Sequence, residues 1–379
     1  MRIAIDASRS RSGGTIAHLE GILSNLPDDM KSSIEVHIWS YKTCLNKLPE
    51  YPWLHKHSPD DLEKTIFHQI FWQRFIFPRE IDKNRCQILF KTTASSVCPF
   101  QPSVTLSQDM LPFEPGETKR FGISLARIRL KILQKLYIQS LRSSKAAIFL
   151  TDYASKMIQN KTGKLRDYTI IPHGVPDFFR VSHDSINNFS KDISSQINVI
   201  YISEISPYKH QDKVAQSIYE LNNEGYNFKL TLVGGGYGKF NKSFSRLIKK
   251  IDPQKKFINT LPFIERDELP RIISQSDIFL FASSCENLPI TILEGMASGK
   301  PIVSSNRGPM PEVLEDGAYF FDPENIASIK FALEEVINNP EASKRKALKS
   351  LDRSEIYNWS RCSSDTFELL RRIKQNYSN

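Results

Sequence analysis

Cys285-Glu286-Asn287-Leu288-Pro289-Ile290-Thr291-Ile292-Leu293-Glu294-Gly295-Met296-Ala297-Ser298-Gly299 reads as a loop entering a buried helix that ends on a glycine. An apolar run, Asp277-Ile278-Phe279-Leu280-Phe281-Ala282, precedes it, and Pro301-Ile302-Val303 follows it. Both are strand signals, so the local order is strand, helix, strand. Taken as helical, the eight steps from Glu286 to Glu294 turn about 800°. That sets the carboxylates about 80° apart in azimuth and about 12 Å apart along the axis. The separation is too large for one shared proton. It suits two hydroxyl-bearing parts of one long ligand, with phosphates between them on the positive helix N-terminus.

The same alternation runs through both halves of the chain. Strands are expected near 2–6, 34–39, 87–90, 103–107, 146–150 and 168–171, and helices near 14–26, 60–75, 119–143 and 152–160. A turn-rich junction, Pro172-His173-Gly174-Val175-Pro176-Asp177, and a polar tract to about 195 follow. Further strands are expected at 197–203, 228–233, 256–259, 277–282, 301–304 and 318–321, with helices at 211–224, 240–250, 266–275, 289–298 and 324–338. The fold class is therefore α/β, with two Rossmann-like parallel-sheet domains. The length of 379 residues suits two domains. Ligands of such sheets bind beyond the C-terminal strand ends.

The 285–299 stretch, written ENLPITILE followed by GMASGKPIV, resembles the Glu–seven residues–Glu signature of the retaining glycosyltransferases of family 4. The resemblance is strongest from about 196 to 323, and a chance pair of glutamates is the bland alternative. It implies the GT-B fold, two Rossmann-like domains facing across a cleft. Residues 1–175 with a returning helix at 356–379 would form the acceptor- and membrane-facing domain, and 176–355 the donor domain. The resemblance also implies that Glu286 contacts the transferred sugar and Glu294 the ribose. The backbone of Asn287, Leu288, Pro289 and Ile290 would hold the diphosphate.

Other stretches fit or depart from that pattern. Gly13 and Gly14 follow the first strand, where the family has a glycine loop facing donor diphosphate and acceptor; glycine lets amides approach a phosphate closely. Lys209 falls on the family's diphosphate-binding lysine, but Ser203-Glu204 replaces the usual Gly-Arg pair. Arg307 is a candidate substitute cation, since an ammonium alone lacks the guanidinium fork. Val233-Gly234-Gly235-Gly236 resembles a strand–glycine turn near the nucleotide. The 257–269 segment, which includes Phe263, resembles the loop whose backbone reads the base, and Glu312 is read as structural. Gln108 stands before Asp109 where many members have His; an amide cannot serve as a general base. His18, one turn after Gly14, is a candidate for the acceptor side.

The net charge of +9 lies in the first half, where residues 1–180 hold 26 basic against 17 acidic side chains. Residues 181–379 hold 25 of each. The run 119–145 carries eight basic and no acidic residues on helical apolar spacing. Cationic amphipathic helices favour anionic membranes, with packing of one side on the sheet as the plainer alternative. No apolar run reaches the ~20 residues of a membrane span. The five scattered cysteines show neither disulfide nor metal spacing, which fits a reducing cytosol.

The resulting expectation is a hexosyltransferase that retains anomeric configuration. Its donor would be a nucleotide-diphosphate sugar and its acceptor a saccharide, lipid-linked, in surface polysaccharide synthesis (O-antigen, capsule or exopolysaccharide). It would be cytoplasmic and peripheral at the inner face of the membrane. No cofactor and no metal are expected to be required, because Lys209 and the helix amides supply the positive charge. The alternatives are a GT-B epimerase or hydrolase of nucleotide sugars and, in another class, a basic nucleic-acid-binding protein. The last is disfavoured by the absence of any stacking motif, so no nucleic-acid partner is expected.

Overall fold

The computed structural model describes residues 1–11, 13–186, 195–236 and 238–378. Ser12 of the glycine loop, Tyr237, and most of the polar tract before 195 lie outside the described residues. The chain divides into two compact units, Met1–Gly174 with Asn358–Asn379, and Val175–Tyr357.

The first unit holds a seven-stranded sheet of β1 (Arg2–Asp6), β2 (Glu35–Trp39), β3 (Leu54–His57), β4 (Ile88–Lys91), β5 (Ser103–Leu106), β6 (Ala146–Phe149) and β7 (Tyr168–Ile170). Their order is β3-β2-β1-β4-β5-β6-β7. The second holds β8 (Ile197–Ile202), β9 (Phe228–Val233), β10 (Ile258–Leu261), β11 (Ile278–Phe281), β12 (Ile302–Ser305) and β13 (Ala318–Phe321), ordered β10-β9-β8-β11-β12-β13. All strand pairs are parallel. β4, β5, β6 and β11 are buried along their whole length, as strands covered by helices on both faces must be. This is the doubly wound arrangement expected from the alternating pattern. Strand order reverses beside β1 in the first unit and beside β8 in the second, which opens a crevice at the C-terminal strand ends there.

The last helix, Trp359–Ser378, packs within the first unit against the helix Gly14–Ser24. A Cβ built on Gly21 would lie 2.4 Å from the Trp359 ring, so only glycine admits the indole. Ser363 Oγ donates to Ile22 O at 2.7 Å on the same contact.

Several elements differ from expectation. β3 reads Leu-His-Lys-His and has no apolar run to announce it; it is an edge strand and only half-buried. The expected 60–75 helix is broken into a 3₁₀ turn (Asp60–Glu63), a helix (Ile66–Phe71) and a π-helical turn (Trp72–Ile76), then continues as Phe77–Lys83. β10 starts at Ile258 because the Asp252 carboxylate accepts the amides of Lys256, Phe257 and Ile258 at 2.8, 3.0 and 2.7 Å. The basic helix begins at Leu125, after Gly122 (φ 57°), and Ser124 Oγ accepts the Arg127 amide at 3.3 Å. Its N-terminal half is not packed on the sheet: Leu125, Ile128 and Ile132 are exposed, as is Ile123 just before it, and burial begins at Tyr137. The short helices Asp28–Lys31, Lys42–Leu45 and Met310–Leu314 and the polar helix Pro340–Ser354 carry too weak an apolar period to be read.

Candidate functional site

The helix after β11 spans Ile290–Ala297, so Glu286 is not on it. Leu288 precedes Pro289, which biases it away from helical backbone, and Pro289 is itself extended (φ −74°, ψ 121°) at the N-cap. The helical geometry expected between Glu286 and Glu294 therefore does not hold. Glu286 lies instead in the 282–289 loop, at the strand-order reversal of the second sheet.

Across that point lies the loop after β8, which carries Lys209. Its Nζ forms an ion pair with Glu286 Oε1. The two side chains are only 11% and 15% exposed, so water screens the pair weakly. Backbone contacts hold the partners in place. Tyr201 Oη donates to Lys209 O at 2.8 Å, and the Ser284 amide donates to Tyr208 O at 2.8 Å. Ser305 Oγ donates to Ser283 O at 2.6 Å, which ties in the C-terminal end of β12. Burial, then the charges of Glu286 and Glu204, push the Tyr208 phenol up, so it stays neutral. Tyr208 Oη donates to Glu204 Oε1 at 3.2 Å, so the Glu204 carboxylate is held by a phenol.

Arg307 does not reach the Lys209 pair. Its Nη2 donates to Asp322 Oδ1 at 3.2 Å, although the neighbouring Gly308 (φ 60°) runs close to Glu286. At Gly234 (φ 120°) a Cβ would meet Ser203 O at 2.5 Å, so this glycine lets the loops after β8 and β9 touch. Gly235 O accepts the Ile205 amide at 2.9 Å. Asn287, Leu288 and Ile290 are buried, and no side chain caps the helix that begins at Ile290. Its first amides therefore remain suited to an anion.

Glu294, one turn further along that helix, is buried and accepts Arg266 Nε at 2.7 Å through Oε1. Burial pushes its carboxyl up, and Arg266 offsets this. Arg266 was not singled out by sequence, because the contact spans 28 positions. Its Nη2 is buried and has no hydrogen-bond partner among the described residues. Phe263, in the same segment, is exposed.

The remaining candidates belong to the first unit. Gly13 (φ 65°) caps the helix Gly14–Ser24, and nothing lies within 4 Å of a Cβ built on it. At the strand-order reversal here, the Asp6 carboxylate accepts from Ser8 Oγ (2.6 Å), Ser96 Oγ (2.5 Å) and Gln73 Nε2 (3.2 Å). Gln108 Nε2 donates to Thr92 O at 3.0 Å, and Asp109 Oδ2 accepts Tyr137 Oη at 2.6 Å. His18 differs from expectation. It is 2% exposed, packs among Phe90, His173 and Trp359, and has Nδ1 3.2 Å from His173 Nδ1. Burial pushes it down to about 3, so it is a neutral core residue.

Solved structures that match nearly the whole chain have the same two-sheet architecture. Sucrose-phosphate synthase from Thermosynechococcus elongatus aligns with a TM-score of 0.78 at 14% identity, covering 98% of this chain and 99% of that one. Anabaena HepE, solved in complex with UDP and glucose, aligns at 0.75 and 15% identity, with 98% and 99% covered. The fold is GT-B. Residues 184–351, the segment that contains Lys209, Arg266, Glu286 and Glu294, match the family model of glycosyl transferases group 1. Among curated relatives, the O-antigen chain mannosyltransferase B of Escherichia coli is 21% identical over 250 residues, which is 63% of each chain. The chain spans 63%, 45% and 57% of the length of the first three curated relatives it matches. In GT-B terms, the Lys209–Glu286 pair sits in the second of the two Rossmann-like units.

Proposed function

We propose that the protein is a retaining glycosyltransferase that moves a hexosyl group from a nucleoside-diphosphate sugar to a hydroxyl of a lipid-linked saccharide, in surface polysaccharide assembly. The observation that carries this reading is the buried Lys209–Glu286 pair. It stands before an uncapped helix whose next turn holds the Glu294–Arg266 pair. The glycosyl transferases group 1 match over this segment and the UDP and glucose held by HepE support it.

In this reading the diphosphate meets Lys209 and the amides at 287–290. Lys209 then exchanges a carboxylate for a phosphate, and Glu286 is released toward the sugar. The bond from the anomeric carbon to the phosphate oxygen breaks, and the acceptor oxygen bonds to that carbon from the same face. The acceptor proton passes to the departing phosphate oxygen, so Gln108 need not act as a base. Lys209 and the amides stabilise the charge that develops on the diphosphate, a preorganised electrostatic effect. Glu294 and Arg266 hold the ribose end. No metal is assigned a role in this step.

The acceptor side rests on the first unit's surface. Leu125 is 85% and Phe67 79% exposed, and Arg129, Lys131 and Lys135 are exposed on the same helix as the former. Apolar side chains among cations match an anionic bilayer surface. No helix among the described residues is long and apolar enough to cross a membrane; peripheral attachment at the inner face is the proposal.

The test is a calorimetric panel of nucleoside diphosphates and their hexose derivatives, followed by product analysis with and without a saccharide acceptor. One base should bind, with the sugar appearing on the acceptor in its original anomeric form. Binding of none of the panel would contradict the reading. Release of free nucleotide unaffected by acceptor would favour a hydrolase or epimerase instead.

A further inference from the structure

A second cluster of chemistry-bearing side chains lies far along the chain from Lys209 and Glu286, at the edge of the first sheet. β2 and β3 pair in parallel, with His37 opposite His55 and Trp39 opposite His57. Side chains two apart on a strand share a face, so Glu35 and His37 on one strand meet His55 and His57 on the next. Glu35 Oε1 lies 3.3 Å from His37 Nε2 and 3.1 Å from His55 Nε2. One ligand atom from each of the three residues lies within 4.8 Å of the others.

These separations have a chemical meaning. Zinc bonded at about 2.0–2.1 Å in a tetrahedron holds neighbouring ligand atoms about 3.3 Å apart. Two of the three edges already have that length. The third, between the two imidazoles, lies within the 4.8 Å bound, with the rings stacked at 4.7 Å between centres. The His55 side chain is 43% exposed, which leaves it room to turn toward a shared ion. The ligand types, two imidazoles and one carboxylate, suit a divalent transition metal with open positions for water.

The surroundings fit as well. His37 Nδ1 is 3.0 Å from His57 Nε2. With its Nε2 on a metal, His37 carries its proton on Nδ1 and donates it to His57, the outer hydrogen bond that fixes a ligating imidazole. His57 in turn stacks on Trp39 with ring centres 4.5 Å apart. Arg2 Nε donates to the other Glu35 oxygen, Oε2, at 2.7 Å, which leaves Oε1 turned to the imidazoles. The Arg2 charge opposes an added cation and moderates affinity.

We propose that Glu35, His37 and His55 form a binding site for a divalent transition metal of the zinc type, which ties the edge strand β3 to β2. The sequence shows no metal spacing because the ligands come from two strands that only sheet pairing brings together. The site does not depend on the glycosyltransferase reading.

The test is calorimetric titration of the full chain, stripped with chelator, using zinc chloride. One ion per chain should bind, and the thermal midpoint should rise with zinc. Cobalt(II) in place of zinc should give visible absorption typical of a nitrogen-ligated ion of low coordination number. His57→Ala should weaken binding by about ten- to a hundredfold, as loss of an outer partner does. His55→Ala and Glu35→Gln should weaken it more and remove the zinc-dependent rise. Both residues are partly exposed, and circular dichroism checks that the variants fold; should one unfold, His55→Gln takes its place. No binding by the parent chain, or binding unchanged in a folded His55 variant, overturns the proposal.

Discussion

At the scale of single residues, the donor reading rests on pairs of opposite charge removed from water. Breaking such a pair leaves an uncompensated buried charge. Lys209→Ala should therefore cost about 3 kcal/mol of stability, while Lys209→Ala with Glu286→Ala should cost less than the sum of the two single changes. A double-mutant cycle in denaturant measures this; strict additivity would mean the pair carries no coupling. Glu294→Ala strands Arg266 and should weaken nucleotide binding, with unchanged affinity counting against the ribose role. His18 gives a pH prediction. Its folded value of about 3 lies below the ordinary imidazole value of about 6.5. Between those values the unfolded chain binds the extra proton, so the contribution is present above pH ~6.5 and lost as pH falls. About 2 kcal/mol should be lost by pH ~5. His18→Asn, whose amide can take the place of Nδ1, should flatten that slope in denaturant midpoints measured from pH 7 to pH 5. The residue types at 209, 286 and 294 were legible in the sequence. Their partners were not, because Glu286 lies 77 positions from Lys209 and Arg266 lies 28 positions from Glu294.

At the scale of elements, the central strands were legible because burial on both faces writes them as continuous apolar runs. β3 was not, since an edge strand of Leu-His-Lys-His has no such run. The helix expected at 289–298 begins at Ile290, with Pro289 setting the boundary, so only the treatment of Glu286 as part of that helix fails. The packing of the last helix yields a further prediction. Gly21→Ala puts a methyl into the Trp359 ring and should destabilise the first unit by about 1–3 kcal/mol, followed by tryptophan fluorescence during unfolding. The basic helix Leu125–Ser143 yields another. Its exposed cations are each worth about 1 kcal/mol at an anionic surface, screened over a Debye length of about 10 Å at 0.1 M salt. The protein should sediment with anionic vesicles at low salt, be released by high salt, and bind less as Lys131→Glu with Lys135→Glu. Binding indifferent to lipid charge would return the helix to an ordinary basic surface.

At the scale of the whole molecule, the two doubly wound sheets place their strand-order reversals beside β1 and β8, and the two halves differ in charge. The first carries the entire excess of +9, whereas the second is balanced and carries the group 1 match. The alternation of strands and helices made this architecture readable from sequence, because each βαβ unit repeats the same apolar pattern. The central claim is that Glu286 serves the transferred sugar while the nucleotide is held by its neighbours. The direct measurement is turnover of the nucleotide sugar identified by calorimetry, alongside affinity for the matching nucleoside diphosphate, in Glu286→Gln and the parent chain. The account predicts a loss of about 10²–10³-fold in turnover, or ~3–4 kcal/mol, with diphosphate affinity nearly unchanged. Near-normal turnover in the variant would contradict it.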